Sequence, residues 1–288
     1  MNDFSSLNFN PAPEIDRITP RQFKALAGMI RAEIGINIKD SKQTMLEGRL
    51  RRRVSAVDAG SIGEYCDMVI GGRLGPGEFE HLINAVTTNK TDFFREPAHF
   101  DYLMETVLPL YAAENCRQIR CWSAACSTGA EPYTLAMLLD DFALRVRGMD
   151  YRVIATDIDT DVLATAIKGI YPREAVDPVP DHLRRRYVLE PKDSRRADVR
   201  IAPELRRRVA FGRVNLIEPT YPIGDPVHLI FCRNVLIYFD KQTQEQVVSR
   251  LSEQLLPGGY LFLGHSESIA GFNLDLEQVA STVFRRSP

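Results

Sequence analysis

The sequence predicts an α/β protein in which an open, doubly wound parallel sheet follows an all-helical N-terminal domain. Helical and strand patterns alternate from residue 97 onward, which is typical of a parallel sheet covered by helices. Residues 119–134 give an apolar strand, a turn of small residues and a helix start in immediate succession. By contrast, residues 18–86 hold four apolar patterns with helical spacing.

Composition favours a globular cytoplasmic protein. The 288 residues are 44% hydrophobic and 26% charged, with a net charge of −2, so overall charge attracts neither nucleic acid nor a membrane surface. We expect no membrane span, because no apolar run approaches about 18 residues, and no signal peptide. The five cysteines lack C-x-x-C spacing, which favours reduced thiols and no metal site.

The N-terminal domain is expected to cover residues 18–86, after a flexible polar tail at residues 1–17. Thr19 is a suitable N-cap for its first helix. Ser61 and Glu64 have the spacing of a capping box, which predicts the start of the third helix.

The second helix, predicted at residues 42–56, has one basic face. This face comprises Lys42, Arg49, Arg51, Arg52 and Arg53. A solvated charged surface is the simpler interpretation. Because local acids are nearly absent, we favour binding of an acidic partner.

Residues 87–97 are predicted to link the domains and to contribute to a ligand site. Two phenylalanines, Phe93 and Phe94, are expected to anchor the segment. Asn89, Thr91 and Arg95 then remain as polar groups in a hinge, where binding residues are common. The alternative is a capped helix start with Arg95 in a surface salt bridge.

The remaining residues, 98–288, are assigned to the sheet domain. Its first strand, Ile119–Ala125, leads through small residues to Glu131 and Pro132 at a helix start. Small residues allow close backbone approach, and a helix start offers free N–H donors. This segment is therefore either a ligand-binding turn or an ordinary strand–helix connection.

The second strand, Arg152–Thr156, ends in Asp157, where open α/β sheets place a carboxylate on the ribose of a nucleotide. Neither G-x-x-x-x-G-K-[ST] nor G-x-G-x-x-G is present, which disfavours a nucleoside triphosphate or a dinucleotide. An adenosyl ligand without phosphate fits better. S-adenosylmethionine is such a ligand, and its cationic end prefers carboxylates such as Glu131.

The strand–helix alternation is interrupted between residues 171 and 214. Short alternating apolar runs follow a predicted helix at Asp181–Tyr187. They predict a small antiparallel β-subdomain at about residues 187–214, inserted into the sheet domain. Further strands are predicted at Val227–Phe231, Gly259–Leu263 and Thr282–Arg286, and a helix at Lys241–Leu255.

Six segments together resemble the CheR family, the chemotaxis receptor glutamate O-methyltransferases: TTNKTDFFRE, WSAACSTGAEPYT, ATDIDTDVL, VNL, IFCRNVLIYFD and GHSES. The resemblance implies a Rossmann-like methyltransferase domain dependent on S-adenosylmethionine, with a small antiparallel β-subdomain and a preceding all-α domain. It also implies methyl transfer to glutamate side chains of chemoreceptors. The products would be glutamate methyl esters and S-adenosylhomocysteine. The reaction would serve chemotaxis adaptation in the cytoplasm.

The resemblance also implies the site residues. Cofactor contacts fall on Asn89, Thr91, Arg95, Glu131, Asp157, Asn215, Leu216, Asn234 and Val235. Arg95 and Tyr238 match positions near the transferred methyl and are the expected catalytic residues. The substrate-binding surface would include Lys42, Arg49, Arg52 and Arg53.

The resemblance implies chemoreceptor methylation helices as partners, bound by a monomer without nucleic acid or membrane insertion. Some family members dock a receptor C-terminal peptide along the β-subdomain, usually beside a glycine-containing loop. Residues 187–200 contain no glycine, so for this chain the peptide is an open question.

A glutamate substrate has a pKa of about 4.3 and is already anionic at pH 7, so it needs no general base. The sequence accordingly offers no His–Asp dyad in the candidate site, and we favour a structural role for His265.

Two other functions remain open. A nucleic-acid N-methyltransferase is one, since 234–238 loosely resembles the Asn-Pro-Pro-Tyr motif, although both prolines are missing. A non-catalytic adenosyl-ligand sensor that signals through the basic helix is the other.

Overall fold

The computed structural model describes residues 16–193 and 195–287. Most of the predicted tail, residues 1–15, lies outside this range, as does Ser194. The chain forms two compact units. The first contains the described residues up to Met29 together with Ile38–Val86, and the second contains Ile30–Asn37 and the chain from Thr87 onward. The domain bounds given above stay predictions.

The first unit is helical. Its helices are α1 (Pro20–Ile34, which ends in the second unit), α2 (Gln43–Ala56), α3 (Ile62–Ile70) and α4 (Pro76–Val86). Ser61 caps α3 as predicted, because its side chain accepts a hydrogen bond from Glu64 N at 3.0 Å. Leu46, Leu50 and Tyr65 are fully buried and form part of its core.

The second unit begins with a helical segment made of α5 (Ala98–Tyr102), a π-helical turn (Leu103–Val107) and α6 (Leu108–Ala113). The later helices are α7 (Ala130–Arg145), α8 (Thr160–Lys168), α9 (Asp181–Tyr187), α10 (Pro203–Arg206) and α11 (Lys241–Glu253). None of the described helices is long and apolar enough to cross a membrane.

The main sheet of the second unit has seven strands in the order β6-β2-β1-β7-β8-β10-β9. These strands are β1 (Gln118–Ala124), β2 (Asp150–Asp157), β6 (Val209–Arg213), β7 (Val227–Cys232), β8 (Leu255–Leu263), β9 (Leu276–Ala280) and β10 (Val283–Arg286). The first five in sheet order pair in parallel, which confirms the predicted parallel sheet. β10 is antiparallel to β8 and β9, so the sheet is mixed at one end.

The register brings the carboxyl ends of the central strands together. Ala124 of β1 pairs with Thr156 of β2, and Ser123 pairs with Phe231 of β7. The sheet is anchored by large apolar side chains such as Trp122 and Phe231, which are fully buried. Polar residues that follow these strands therefore meet at one edge of the sheet.

The small antiparallel sheet differs from its predicted extent. It contains β3 (Ile170–Pro172), β5 (Asp198–Ile201) and β4 (Val188–Leu189), in the order β3-β5-β4. Residues Val209–Arg213, which we assigned to it, instead pair in parallel with β2 in the main sheet. The reason is that alternating apolar residues suit either a small antiparallel sheet or the half-covered edge of a large one.

Candidate active site

A cleft of about 940 Å³, including solvent at its mouth, lies at the carboxyl ends of β1, β2 and β7 in the second unit. Its size is that of a site for a small organic ligand. The structure brings every predicted cofactor and catalytic residue to its wall: Asn89, Thr91, Arg95, Glu131, Asp157, Asn215, Leu216, Asn234, Val235 and Tyr238. The four predicted substrate-binding residues belong to the first unit instead.

Asp157 is a buried carboxylate held by backbone donors. Its Oδ2 accepts from Ser127 N at 2.8 Å, and its Oδ1 accepts from Asp159 N at 3.0 Å. Burial raises the pKa of Asp157 to about 6, although the backbone N–H groups oppose that shift. Asp157 is therefore a fixed acceptor that is mainly ionised at neutral pH.

The neighbouring Asp159 holds two residues of the linker, a role that the sequence analysis did not identify. Its Oδ1 caps α8 by accepting from Asp161 N and Val162 N. Its Oδ2 accepts from Thr87 Oγ1 and Asn89 Nδ2, both at 2.6 Å. The aspartate before α8 was a recognisable N-cap, but its hold on the linker depends on the fold.

The linker itself is fixed by its aromatic residues, as predicted. Phe93 is buried and packs edge-on against Tyr171, with ring centroids 5.1 Å apart, and Phe94 packs against Phe100. Arg95 is half-buried at the cleft wall, and its Nη1 donates to the carbonyl of Lys90 at 2.9 Å.

Glu131, in the first turn of α7, is the second carboxylate of the cleft. Its Oε1 accepts from Ser123 Oγ at 2.7 Å, and its Oε2 accepts from Arg233 Nη1 at 3.1 Å. Burial raises the pKa of Glu131, and the nearby Arg233 guanidinium opposes that rise. The sequence analysis did not identify Arg233 as a functional residue.

The turn after β7 holds Asn234, Val235 and Tyr238. Asn234 has a positive φ of 59°, a conformation that asparagine tolerates better than most residues. Gly264 lies so close that a Cβ there would meet Asn234 Nδ2 at 2.5 Å. Asn234 Nδ2 donates to Glu96 Oε1 at 3.1 Å. The turn is therefore fixed by contacts with two other segments.

The residue that fixes this turn most directly is Glu267, in the GHSES segment. Its buried carboxylate accepts from the backbone N–H groups of Asn234 (2.9 Å), Leu236 (2.7 Å) and Gly264 (2.6 Å). Nothing in the local sequence indicated this role in the turn, because Asn234 and Leu236 lie 33 and 31 residues earlier in the chain.

We expect Glu267→Ala to lower the free energy of unfolding by about 3 kcal/mol, because several buried donors lose their acceptor. Binding of S-adenosylhomocysteine should weaken as well, since the turn carries cleft residues. Urea unfolding and titration calorimetry measure the two effects. Ser266→Ala is the matched control, because Ser266 is exposed. Wild-type stability of Glu267→Ala would contradict this role.

Glu96, His99 and His265 have ligand-type atoms within 4.8 Å of one another. Arg233 Nη2, however, already lies 3.1 Å from Glu96 Oε2 and supplies a cation for that carboxylate. Burial and Arg233 lower the pKa of His99 to about 4, so its ring is neutral. A divalent cation there would face the guanidinium, and we assign no metal to this cluster.

The basic face of α2 is more strongly paired than expected. Arg53 Nε donates to Glu78 Oε1 at 2.9 Å, and Arg49 donates to the Val86 carbonyl. Although burial alone would raise it, the bonds from Arg53 and Tyr65 hold the pKa of Glu78 below its ordinary value. The lack of local acids does not leave Arg53 unpaired, because Glu78 arrives from α4, distant in sequence.

The remaining charges of this face reach solvent. Lys42, Arg51 and Arg52 are exposed, although Arg51 also donates to the carbonyl of Asp16. We call these three exposed residues, two on α2 and Lys42 directly before it, the basic patch.

The cleft suits S-adenosylmethionine. Apolar residues at its wall, among them Ile36, Val214 and Phe239, can pack against the adenine. Glu131 and Asp157 provide carboxylates for the cationic end and the ribose hydroxyls of the ligand. Ala125 and Ser127 have positive φ angles of 65° and 50°, so the backbone after β1 turns sharply beside the cleft. Strained backbone of this kind is concentrated at binding sites.

Comparisons with known proteins agree with this interpretation of the cleft. Residues 21–87 match the family described as "CheR methyltransferase, all-alpha domain", and residues 89–285 match "CheR methyltransferase, SAM binding domain". The chain is 37% identical over 266 residues to chemotaxis protein methyltransferase 2 of Pseudomonas aeruginosa, covering 92% of this chain and 93% of that protein.

Two further relatives are the chemotaxis protein methyltransferases of Salmonella typhimurium and Escherichia coli. The first is 37% identical over 94% of this chain and 91% of its own length, and the second is 35% identical over 94% and 92%. The predicted methyltransferase fold with an all-α N-terminal part and the predicted cofactor, S-adenosylmethionine, are thereby confirmed. The chain belongs to the CheR methyltransferase family.

Proposed function

We propose that this enzyme is a protein-glutamate O-methyltransferase that transfers methyl groups from S-adenosylmethionine to glutamate side chains of chemoreceptors. The products are glutamate methyl esters and S-adenosylhomocysteine, and the reaction serves chemotaxis adaptation. The observation that carries the proposal is a cleft of this CheR-family chain whose wall combines Glu131 and Asp157 with Arg95 and Tyr238.

The residues of the cleft divide into two groups. Asp157 accepts hydrogen bonds from the ribose hydroxyls, and Glu131 binds the cationic amino-acid end of the cofactor. Asn89, Thr91, Asn215, Leu216, Asn234 and Val235 complete the cofactor contacts. When bound, S-adenosylmethionine supplies a methyl group on a positively charged sulfur.

Arg95 and Tyr238 act on the incoming glutamate. The guanidinium of Arg95 pairs with the substrate carboxylate, and the Tyr238 hydroxyl donates a hydrogen bond to it. The carboxylate is ionised at pH 7, so these residues need only align and desolvate it. Such positioning can lower a barrier by roughly 7–11 kcal/mol in favourable cases.

We propose that the basic patch on α2 recognises the acidic methylation helices of the receptors. Lys42 and Arg52 are exposed and can pair with carboxylates of a partner. Arg49 and Arg53 hold the patch in place through Val86 and Glu78. Residues 187–200 contain no glycine, so we assign the main receptor contact to this patch rather than to a C-terminal peptide on the small sheet. The enzyme acts as a monomer in the cytoplasm.

Two neighbouring arginines should behave differently. Arg52→Ala should raise the KM for receptor membranes roughly fivefold, as expected for one exposed ion pair, without changing stability. Arg53→Ala should lower the free energy of unfolding by about 2 kcal/mol, because Glu78 loses its partner. Receptor-titrated methylation and urea unfolding measure these effects. An unstable Arg52→Ala, or an Arg53→Ala of wild-type stability, would contradict the assignment.

The reaction is tested with radiolabelled S-adenosylmethionine and membranes that contain the chemoreceptors. We expect label that mild alkali releases as methanol and that is lost when the receptor glutamates are changed to alanine. Alkali-stable label on nucleic acid would support an N-methyltransferase. Tight cofactor binding without any transfer to receptors would support a sensor.

A further inference from the structure

Arg233 is a buried cation between two carboxylates from different segments. It follows β7, and its side chain is 2% exposed. Its Nη1 lies 3.1 Å from Glu131 Oε2 at the start of α7, and its Nη2 lies 3.1 Å from Glu96 Oε2 in the linker. Nη2 also donates to the backbone carbonyl of Arg95. One guanidinium therefore contacts both the cofactor-binding carboxylate and the backbone of the proposed catalytic arginine.

We infer that Arg233 is a positioning residue that supplies the countercharge for Glu131 and fixes the linker backbone at Arg95. The inference rests on the proposed role of Glu131 in binding the cationic end of S-adenosylmethionine. Arg233 itself is a positioning rather than a catalytic residue, because both its Nη atoms are bonded to protein and its guanidinium lies over the Phe100 ring, 5.3 Å from the centroid.

The charges around Glu131 make this countercharge necessary. Glu96 faces it from the linker with the same sign, and Ser123 on β1 donates a neutral hydrogen bond. The other titratable groups nearby are the thiols of Cys121, Cys126 and Cys232, whose pKa values burial raises, so they are neutral. Glu96 is in turn faced by His99 and His265. Without Arg233, Glu131 would take up a proton more readily and bind a cation less well.

The shape of arginine is as important as its charge. A guanidinium presents several N–H donors in one plane and can contact Glu131, Glu96 and the Arg95 carbonyl at once. A lysine ammonium in the same place keeps a positive charge near the carboxylates but cannot hold all three. The charge and the bridging geometry can therefore be separated by substitution.

The test compares Arg233→Met, Arg233→Lys, Glu131→Gln and the double variant Glu131→Gln/Arg233→Met, with S-adenosylhomocysteine as the probe in titration calorimetry. Arg233→Met should weaken binding about tenfold at pH 7, as expected for one charge-assisted hydrogen bond. The ratio of its Kd to the wild-type Kd should fall as pH rises toward 9, because Glu131 regains its charge. In the Glu131→Gln background, removing Arg233 should change the Kd by a clearly smaller factor than in wild type, because only the linker contacts are then lost.

Two results would overturn the inference. One is a Kd ratio for Arg233→Met that does not change with pH, and the other is a full additional loss in the double variant. If Arg233→Met does not fold, Arg233→Lys provides the test. It should keep a pH-independent Kd ratio but show a lower kcat with saturating substrates, and wild-type kcat would overturn the bridging role.

A measurement without ligand separates this inference from the proposed function. The side-chain carboxyl ¹³C signal of Glu131, identified by its loss in Glu131→Gln, should titrate at higher pH in Arg233→Met than in wild type. An unchanged titration overturns the countercharge role. A raised titration with unchanged S-adenosylhomocysteine affinity supports the countercharge and overturns the placing of the cofactor on Glu131.

Discussion

Replacing Asp157 with asparagine should weaken S-adenosylhomocysteine binding roughly 10- to 100-fold at pH 7.5, the range for hydrogen bonds to a charged group. The substitution keeps the size of the side chain and a carbonyl acceptor. It removes the charge and places an amide N–H₂ group beside the Ser127 or Asp159 backbone N–H, where a carboxylate oxygen now accepts. Titration calorimetry measures the loss.

The pH dependence of binding gives a sharper test of the same residue. Because burial raises the pKa of Asp157 to about 6, wild-type affinity should strengthen as pH rises from 5 to about 7, when the carboxylate ionises. Part of this increase should disappear in Asp157→Asn. Asp161→Asn is the matched control, since Asp161 is exposed in the first turn of α8. Equal pH dependence in wild type and Asp157→Asn would contradict the role.

The ligand-free protein should show the opposite trend in stability. The folded state binds a proton on Asp157 more tightly than the unfolded chain does. The corresponding stabilisation is present below the unfolded pKa of about 3.9 and is lost as pH rises through about 6. Asp157→Asn lacks this contribution. Between pH 5 and pH 7.5, the free energy of unfolding measured with urea should therefore change in the destabilising direction more for wild type than for the variant.

Replacing Arg95 with alanine should lower turnover roughly 100-fold, because the substrate carboxylate loses the group that aligns it. Since Arg233 binds the backbone carbonyl of Arg95, the linker should keep its conformation in this variant. Single-turnover methyl transfer to receptor membranes at saturating S-adenosylmethionine measures the effect.

Arg95→Lys and Arg147→Ala complete that experiment. Lysine restores the charge without the planar fork, so Arg95→Lys should recover only part of the rate. Arg147 is exposed beyond α7, and Arg147→Ala should be fully active. Near-normal methylation by Arg95→Ala would remove Arg95 from the mechanism.

The sequence by itself determined the features that depend on neighbouring residues. Asp157 at the end of a strand, Glu131 in the first turn of a helix and Ser61 as an N-cap were all predicted, and the structure places each there. These features follow from periodicity and from the hydrogen-bonding needs of helix ends, which act over a few residues. The linker phenylalanines were predictable for a similar reason, since apolar side chains in a polar segment need a core to enter.

Only the tertiary structure decided the contacts that hold the site together. Arg233 meets Glu131 across 102 residues of chain, and Glu267 holds a turn that begins 33 residues before it. Likewise, Glu78 neutralises Arg53 from another helix, and Val209–Arg213 joined the main sheet rather than the small one. The composition of a charged or alternating segment indicates what kind of partner it can bind. The order of the helices and strands and the register of the sheet determine which partner lies next to it.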